Sequence, residues 1–590
     1  LLAFLLRTIN LSTTPPGWRD DEVIETTVHA QLVLTGHYPL YFIQAEGHEP
    51  IYHYLTAGWI AVVGRSLFSV RLVSVFFGLL TVAATFRLTR QLFGTRTALL
   101  TALLLAVSFW ALMYSRTKIR HVSELPFVLL GFSYLLQIVS NPKSKIQNPH
   151  VGFLRIAACV LFFTLALYTY LAATTIFIIL ILFASYLFIT KSAAHLTAHF
   201  SGHIFLVVAL VILIYLPLAA QIRANAERIA VVGGPLTALR EGNLQPLVEN
   251  TTRTLAMFGN TGDNEALYNL PGRPVFNLIG FFFFVGGLFS ALSRWRDPRH
   301  AFLLIWLVGG LAPGFASNPP ASLGHTITAL PAVYILAVLP ISHVQINNRV
   351  WRLVLACLLL VGTSLHDLAD YFFNWPAHPA VQYLYKANLH ATAAQLRGQP
   401  PATYVLSGPL SKWDRIAFAL DGVAFESVPR WVNGDWAVIF PTQSAHYLFP
   451  LADWQIDSPP QQPITIQFAD SLIFEGWSQQ GRDLLTHWRV GPGYAAPEPD
   501  MGASVATPPS PTVIFLHLLD AQANYVGGSD RFDVDAYTLQ PGDRFIQRHA
   551  VEAPAGQYQL EVGLYNPTTG ERYLTTDQQD SVRLGTIDLP

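Results

Sequence analysis

Three consecutive carboxylates open the most chemically suggestive stretch of the chain. Asp20, Asp21 and Glu22 follow the breaker Pro15-Pro16-Gly17 and precede a helical pattern with apolar Val23, Ile24, Val28 and Leu32. Asp20 suits an N-cap, and acids in a first helical turn are favoured by the helix dipole alone. A carboxylate held there can equally take a proton from an attacking hydroxyl. Of the 13 acids in the first 366 residues, six lie between positions 20 and 49, a concentration that favours a site over a dipole effect. The same segment runs on into HEPIYHYLTAGW, where His48, Glu49, Tyr52 and His53 set polar, substrate-binding groups beside an apolar helix.

A second constellation is YSRTKIRHVSELP, with Arg116, Lys118 and Arg120 in one short turn. If a helix continues through it, Arg116, Arg120 and Glu124 fall at i, i+4, i+8 on one face. Two guanidinium forks suit a phosphodiester or pyrophosphate. An Arg120–Glu124 ion pair with the other cations snorkelling is the structural alternative. Cations that hold a lipid phosphate and a carboxylate that activates a hydroxyl together suit a lipid-phosphate-linked sugar as substrate. No GxxxxGK[ST] and no GxGxxG after a strand is present, so nucleotide-binding machinery is not expected. Asp21, Glu25 and His29, also at i, i+4, i+8 and near His37, His48 and His53, could bind a divalent metal. No HxxxH spacing supports that, so no cofactor is required and a metal is the lesser alternative.

These groups need a membrane to position them. Hydrophobic residues make up 52% of the 590 and charged residues only 12%, about half the roughly 25% of soluble proteins. Disorder, a coiled coil and a nucleic-acid partner are excluded together. Residues 1–366 carry 24 Lys+Arg against 13 Asp+Glu, and residues 367–590 carry 12 against 24, which divides a basic membrane part from an acidic polar part. Apolar runs predict about eleven spans: a truncated 1–12, then 67–86, 97–114, 122–140, 152–170, 172–190, 203–222, 275–293, 300–316, 325–341 and 350–366. With the N-terminus cytoplasmic, Arg90 and Arg96, Lys143 and Lys145, Lys191, Arg294/Arg296/Arg299 and Arg349/Arg352 all face inside. The outside then receives the catalytic loop 13–66, the cationic turn, the loop 223–274 with Arg223, Glu227 and Arg228, and everything after 366.

Beyond the spans, an aromatic interface patch (Tyr371, Phe372, Phe373, Trp375) leads an amphipathic helix over 371–397. The expected domains are 1–366, a small α/β unit over 367–460, and a β-sandwich over 461–590 with strands ITIQFA, THWRV, TVIFLHLLD and YQLEVGLY. Its Pro-rich loop covers 496–512. Cys159 and Cys357 lie in apolar runs and offer no disulfide framework.

Residues from roughly 10 to 340 resemble the polytopic GT-C-type glycosyltransferases, which include dolichyl-phosphate-mannose–protein mannosyltransferases, lipid A aminoarabinose transferases and bacterial relatives. The resemblance rests on Asp21-Glu22 opening a surface helix, on HEPIYHYL followed by Arg71 and RLTRQLFGTR, and on YSRTKIRHVSELP. It implies Asp21 as catalytic base with Glu22 orienting it, Glu124 as a second acid, and Arg116 and Arg120, with Lys118, holding the donor phosphate. Whether Asp20 or Asp21 is the base stays open, because one register shift exchanges them. Glu49-Pro50 replaces a Pro-Pro pair and the inserted β-trefoil is absent, which shifts the expected acceptor from protein toward glycan or lipid. The reading is a multi-pass plasma-membrane transferase. It takes a hexosyl or pentosyl group from a polyprenyl-phosphate donor and has an extracytoplasmic C-terminal domain. A transporter, flippase or anchor displaying a binding domain is the alternative, disfavoured by the lack of acids at mid-membrane.

Overall fold

A computed structural model describes the chain except residues 46, 141–148, 191–196, 226–233, 344–348, 398, 400–401, 409–411, 423–428, 452–453, 455–458, 469–470 and 498–511. Lys143, Lys145, Lys191, Glu227, Arg228 and most of the Pro-rich loop therefore lie outside the described residues. Two compact units divide at His390/Ala391.

In the first unit, each of the eleven expected apolar segments is helical. Among the described residues, seven helices are long and apolar enough to cross a membrane, including Leu67–Phe93, His121–Ile138, His150–Leu167 and Pro298–Ala316. Helical geometry satisfies every main-chain polar group within the segment, which is what a lipid environment demands. The remaining segments depart from an ideal span. Leu2–Thr8 has seven residues, and Leu278–Ser293 and Ile327–His343 are short. The expected 97–114 helix is broken into Thr95–Val107 and Phe109–Arg116, bent by 60°. The break holds neither Pro nor Gly. It is stabilised from a distance: the freed Phe109 N–H donates to Asp367 Oδ2 at 3.0 Å, a side-chain cap of the new helix start. Asp367 is itself fixed by Arg273 Nη2 at 2.5 Å, and Arg273 Nε reaches Asp370 at 2.7 Å.

Those contacts also correct the expected boundary at 366. Residues 367–390 belong to the first unit. The aromatic patch does not face lipid as a group. Tyr371 and Trp375 are fully buried and stacked 5.6 Å apart, and Trp375 Nε1 donates to Ala266 O at 2.8 Å. Only Phe373 is largely exposed. In place of one amphipathic helix there is a π-turn, Asp370–Asn374, followed by short helices Trp375–Ala377, Pro379–Leu384 and Ala387–Leu396.

The second unit contains a parallel three-stranded sheet and two five-stranded sheets of antiparallel ladders. Strands Gln462–Phe468, Asp483–Val490, Val513–Leu519 and Gly556–Tyr565 coincide with the four expected ones. One apolar core takes Phe474, Trp488 and Phe545 from one five-stranded sheet and Leu516, Leu560 and Val562 from the other. The expected cut at 460 does not hold. Ala437–Phe440 forms the edge of the first five-stranded sheet by pairing with Arg544–Ala550, and Arg430 Nε meets Asp543 at 2.6 Å in a buried pair.

Candidate active site

The helix after Pro15-Pro16-Gly17 runs over 20–34 in three pieces: Asp20–Ile24, a π-turn Glu25–His29, and Ala30–Leu34. Its cap is Arg19, in extended conformation, not Asp20. The three acids that follow have three different surroundings. Asp20 pairs with Lys386 Nζ at 2.7 Å. Asp21 keeps 40% of its side chain exposed and accepts from Arg19 Nη2, which also donates to Tyr268 Oη at 2.9 Å. Glu22 is wholly buried. Arg71 Nε and Nη2 donate to its two oxygens at 3.0 and 2.9 Å, and Lys118 N–H donates to Oε1 at 2.9 Å.

The two stretches singled out in sequence meet, and they do so charge by charge. Lys118 Nζ donates to Glu25 Oε2 at 2.7 Å, and Arg120 Nε donates to Glu49 Oε2 at 3.1 Å. Burial pushes the Glu25 carboxyl up and the Lys118 ammonium down, with each partner opposing the other's shift. Burial likewise raises the Glu49 carboxyl against the opposing pull of Arg120. Lys118 is fully buried, whereas the Arg120 side chain is 16% exposed.

Arg116 does not fit the phosphate-binding role expected for it. Its guanidinium is buried and donates to Leu6 O and Ile9 O at 2.7 Å and Thr14 O at 2.9 Å, with Nε toward Tyr371 Oη at 3.3 Å. Arg71 acts in the same way on the next stretch. Besides Glu22 it reaches Leu11 O, Pro15 O and Gly17 O at 3.0, 2.9 and 2.5 Å. Two arginines thus hold the irregular segment before Asp20 by its main-chain carbonyls. The helical face proposed for Arg116, Arg120 and Glu124 does not form, because the helix ends at Arg116 and Thr117 is extended. Glu124 is buried in the span His121–Ser140 and accepts from Thr328 Oγ1 at 2.5 Å rather than pairing with Arg120.

Tyr52 is buried with its hydroxyl 2.8 Å from Ser74 Oγ, and Lys118 Nζ lies 5.6 Å over its ring. His48 and His53 are buried side by side, Nδ1 to Nε2 at 3.1 Å. His48 stands on a tight hairpin where Phe42 and His48 exchange main-chain hydrogen bonds of 2.9 and 2.8 Å. Gly47 there has φ +99°, and a Cβ would lie 2.0 Å from Tyr41 Oη, so only glycine fits. The π-turn removes the Asp21–Glu25–His29 register. A π-turn holds about 4.4 residues per turn rather than 3.6, so His29 is rotated off the Asp21 face.

The loop 223–274 supplies Tyr268, Glu265 and Asp263 on the described side. Tyr268 stacks on Tyr114 at 5.7 Å, and His325, beyond the loop, bonds Ser317 at 2.8 Å. Asp263 is buried and accepts from Glu265 N–H at 2.9 Å and Leu323 N–H at 3.0 Å. Burial nonetheless pushes its carboxyl up to about 7. An acid raised in the fold contributes stability that is complete below its unfolded pKa of about 3.9 and is lost as pH rises through the folded value. The melting temperature of the detergent-solubilised protein should therefore fall between about pH 4 and 7 and level off above, and Asp263→Asn should flatten that slope. An unchanged slope would count against the assignment.

Arg19 and Arg71 are the functional neighbours that sequence reading did not assign. Arg19's position directly before the acid triplet was the one available signal.

Residues 47–218 match the family model of the dolichyl-phosphate-mannose-protein mannosyltransferases. The match spans less than a third of the chain. Among solved structures, ArnT from Cupriavidus metallidurans bound to undecaprenyl phosphate aligns at 14% identity, over 72% of this chain and 84% of that one, with a TM-score of 0.43. AglB, the oligosaccharyltransferase of Archaeoglobus fulgidus, in complex with an inhibitory peptide and a dolichol-phosphate, aligns at 15% identity over 72% of this chain and 63% of that one, TM-score 0.43. The same organism's enzyme tethered with an acceptor peptide gives 15%, 72%, 62% and 0.42. Likeness at that level transfers no residue roles. No curated protein matches the chain in sequence. With its apolar helices, the chain reads as a multi-pass membrane protein, and its residues 47–218 are similar to the mannosyltransferase family.

Proposed function

We propose that this membrane glycosyltransferase moves a sugar from a polyprenyl-phosphate donor to an extracytoplasmic hydroxyl acceptor on a glycan or lipid. The carrying observation is that Asp21, 40% exposed beside an Asp20 that is 37% exposed but tied to Lys386, is the solvent-open carboxylate within electrostatic reach of the partly exposed Arg120, on a frame of buried ion pairs.

Asp21 takes the proton of the acceptor hydroxyl as its oxygen attacks the anomeric carbon. The bond from that carbon to the phosphate oxygen breaks, and its electron pair leaves with the polyprenyl phosphate, so the anomeric centre inverts. Arg120 exchanges Glu49 for the phosphate and neutralises the charge that develops there. Arg19, held against Tyr268, keeps Asp21 oriented. In this reading the C-terminal β-rich unit is extracytoplasmic as well.

The test is a transfer assay on the full chain in detergent with a panel of labelled polyprenyl-phosphate sugars. Turnover of at least one donor is expected, and Arg120→Gln should raise the donor KM by about tenfold to a hundredfold, the worth of a charge-assisted contact. Arg120→Lys, which keeps charge without the fork, should fall between. A panel with no turnover, or Arg120→Gln with unchanged KM, would remove the reading.

A further inference from the structure

Three imidazoles converge beneath the active-site helix. His29 comes from the π-turn, His48 from the hairpin and His53 from the helix Pro50–Val63. All three are buried, and one ligating nitrogen of each lies within 4.8 Å of the others. Neither nitrogen of His29 has a hydrogen-bond partner, nor does Nδ1 of His53. Buried polar atoms left unpaired are costly and rare. His29 thus has both nitrogens open to a ligand, and Glu25 Oε1, also without a hydrogen bond, lies 3.5 Å from His48 Nδ1.

We propose that His29, His48 and His53 bind a transition-metal dication of the Zn²⁺ class, with Glu25 Oε1 as the neutralising carboxylate. A tetrahedral Zn²⁺ with Zn–N of about 2.0–2.1 Å sets ligand nitrogens about 3.3 Å apart, close to the 3.1 Å between His48 Nδ1 and His53 Nε2. His29, whose ring centroid is 4.5 Å from that of His53 and 5.0 Å from that of His48, closes the triangle by a small ring rotation. Imidazole nitrogens suit Zn²⁺, Co²⁺ and Ni²⁺ over Mg²⁺ or Ca²⁺. The charges that face the site are Lys118 and Arg120, each matched by its own carboxylate, Glu25 and Glu49. Glu25 has two oxygens, so Oε2 keeps Lys118 while Oε1 turns to the ion.

Three histidines and the Glu25 carboxylate, all buried, make a closed four-ligand set of the structural kind rather than a catalytic one with an open position. The ion joins the helix that bears Asp21, the Gly47 hairpin and the helix after it. It differs from the Asp21–Glu25–His29 set that spacing suggests, because Asp21 points to Arg19 instead.

The test needs no turnover, so its failure is distinguishable from failure of the transferase reading. The full chain, carrying a tag without histidine and purified without chelator, is analysed by elemental mass spectrometry. After chelation it is then titrated with Co²⁺. About one ion per chain is expected, with the intense visible bands of tetrahedral Co²⁺. His29→Ala should weaken Co²⁺ binding by about tenfold or more, and exposed His37→Ala should leave it unchanged. Should His29→Ala fail to fold, Glu25→Gln and the wild-type titration carry the test. Wild-type protein that holds no metal and takes up Co²⁺ without tetrahedral bands would overturn the site, as would equal loss in His37→Ala.

Discussion

Replacing Asp21 by Asn should lower sugar transfer by about 10²–10⁴-fold, the usual worth of a positioned general base, with a modest fall in melting temperature as the buried Arg19 exchanges a charged acceptor for a neutral one. The change is isosteric, and the side chain is 40% exposed, so little packing is disturbed. The introduced amide oxygen can still accept from Arg19, whose other partner, Tyr268, stays in place. What disappears is the capacity to take a proton. Asp20→Asn is the companion variant. Its carboxylate is tied to Lys386, and transfer should stay within a few-fold of wild type. The pair of variants separates two adjacent acids that a one-residue register shift would exchange. Full turnover in Asp21→Asn, or loss in Asp20→Asn alone, would move the base to the neighbouring position.

Arg71→Met should cost the membrane unit about 3–5 kcal/mol, the penalty for stranding one member of a buried ion pair. Both partners are fully buried, and Glu22 would keep only main-chain donors. The loss extends beyond Glu22, since Leu11, Pro15 and Gly17 carbonyls lose their donor at once. Glu22→Leu alone should be similarly severe, because it strands a guanidinium. The double variant should cost clearly less than the two singles together, as groups that share one interaction do not add. Thermal unfolding in detergent reads this directly. Additive losses would show that Arg71 matters chiefly through the carbonyls and that Glu22 is incidental to it. A transfer assay on the surviving fraction distinguishes a fallen scaffold from a missing base.

The apolar segments were legible because a bilayer imposes length and apolarity locally: every expected one contains helix, although among the described residues only seven of the helices are long enough to cross by themselves. The meeting of the acids of 20–49 with Lys118 and Arg120 was legible too, since opposite charges on one side of an apolar domain have few other partners. What was hidden depends on residues far apart in sequence. The break at Ser108 has no local breaker, and its cap, Asp367, lies 258 residues on from Phe109. Arg116 reads as a phosphate ligand by type, but its donors are spent on carbonyls of the first helix and the irregular segment after it. Glu22 and Asp21 are adjacent and similar in sequence, and only the fold separates them, Glu22 wholly buried and Asp21 open to solvent. The π-turn has no composition signature, so the helix face drawn through Asp21, Glu25 and His29 was an α-helical drawing of a wider turn. The edge strand Ala437–Phe440 fell inside the expected α/β unit rather than the β-rich domain, because its partner, Arg544–Ala550, comes about a hundred residues later.

The grip of Arg71 and Arg116 on the segment before Asp20 has an evolutionary consequence. Both arginines engage carbonyl oxygens, which every amino acid supplies, so homologues can drift in composition through positions 8–14 without disturbing the grip. Length is another matter. One inserted or deleted residue would shift every carbonyl out of register with two fixed guanidinium groups and displace Asp21 with them. Alignments across relatives should therefore show this stretch as variable in letter and constant in count.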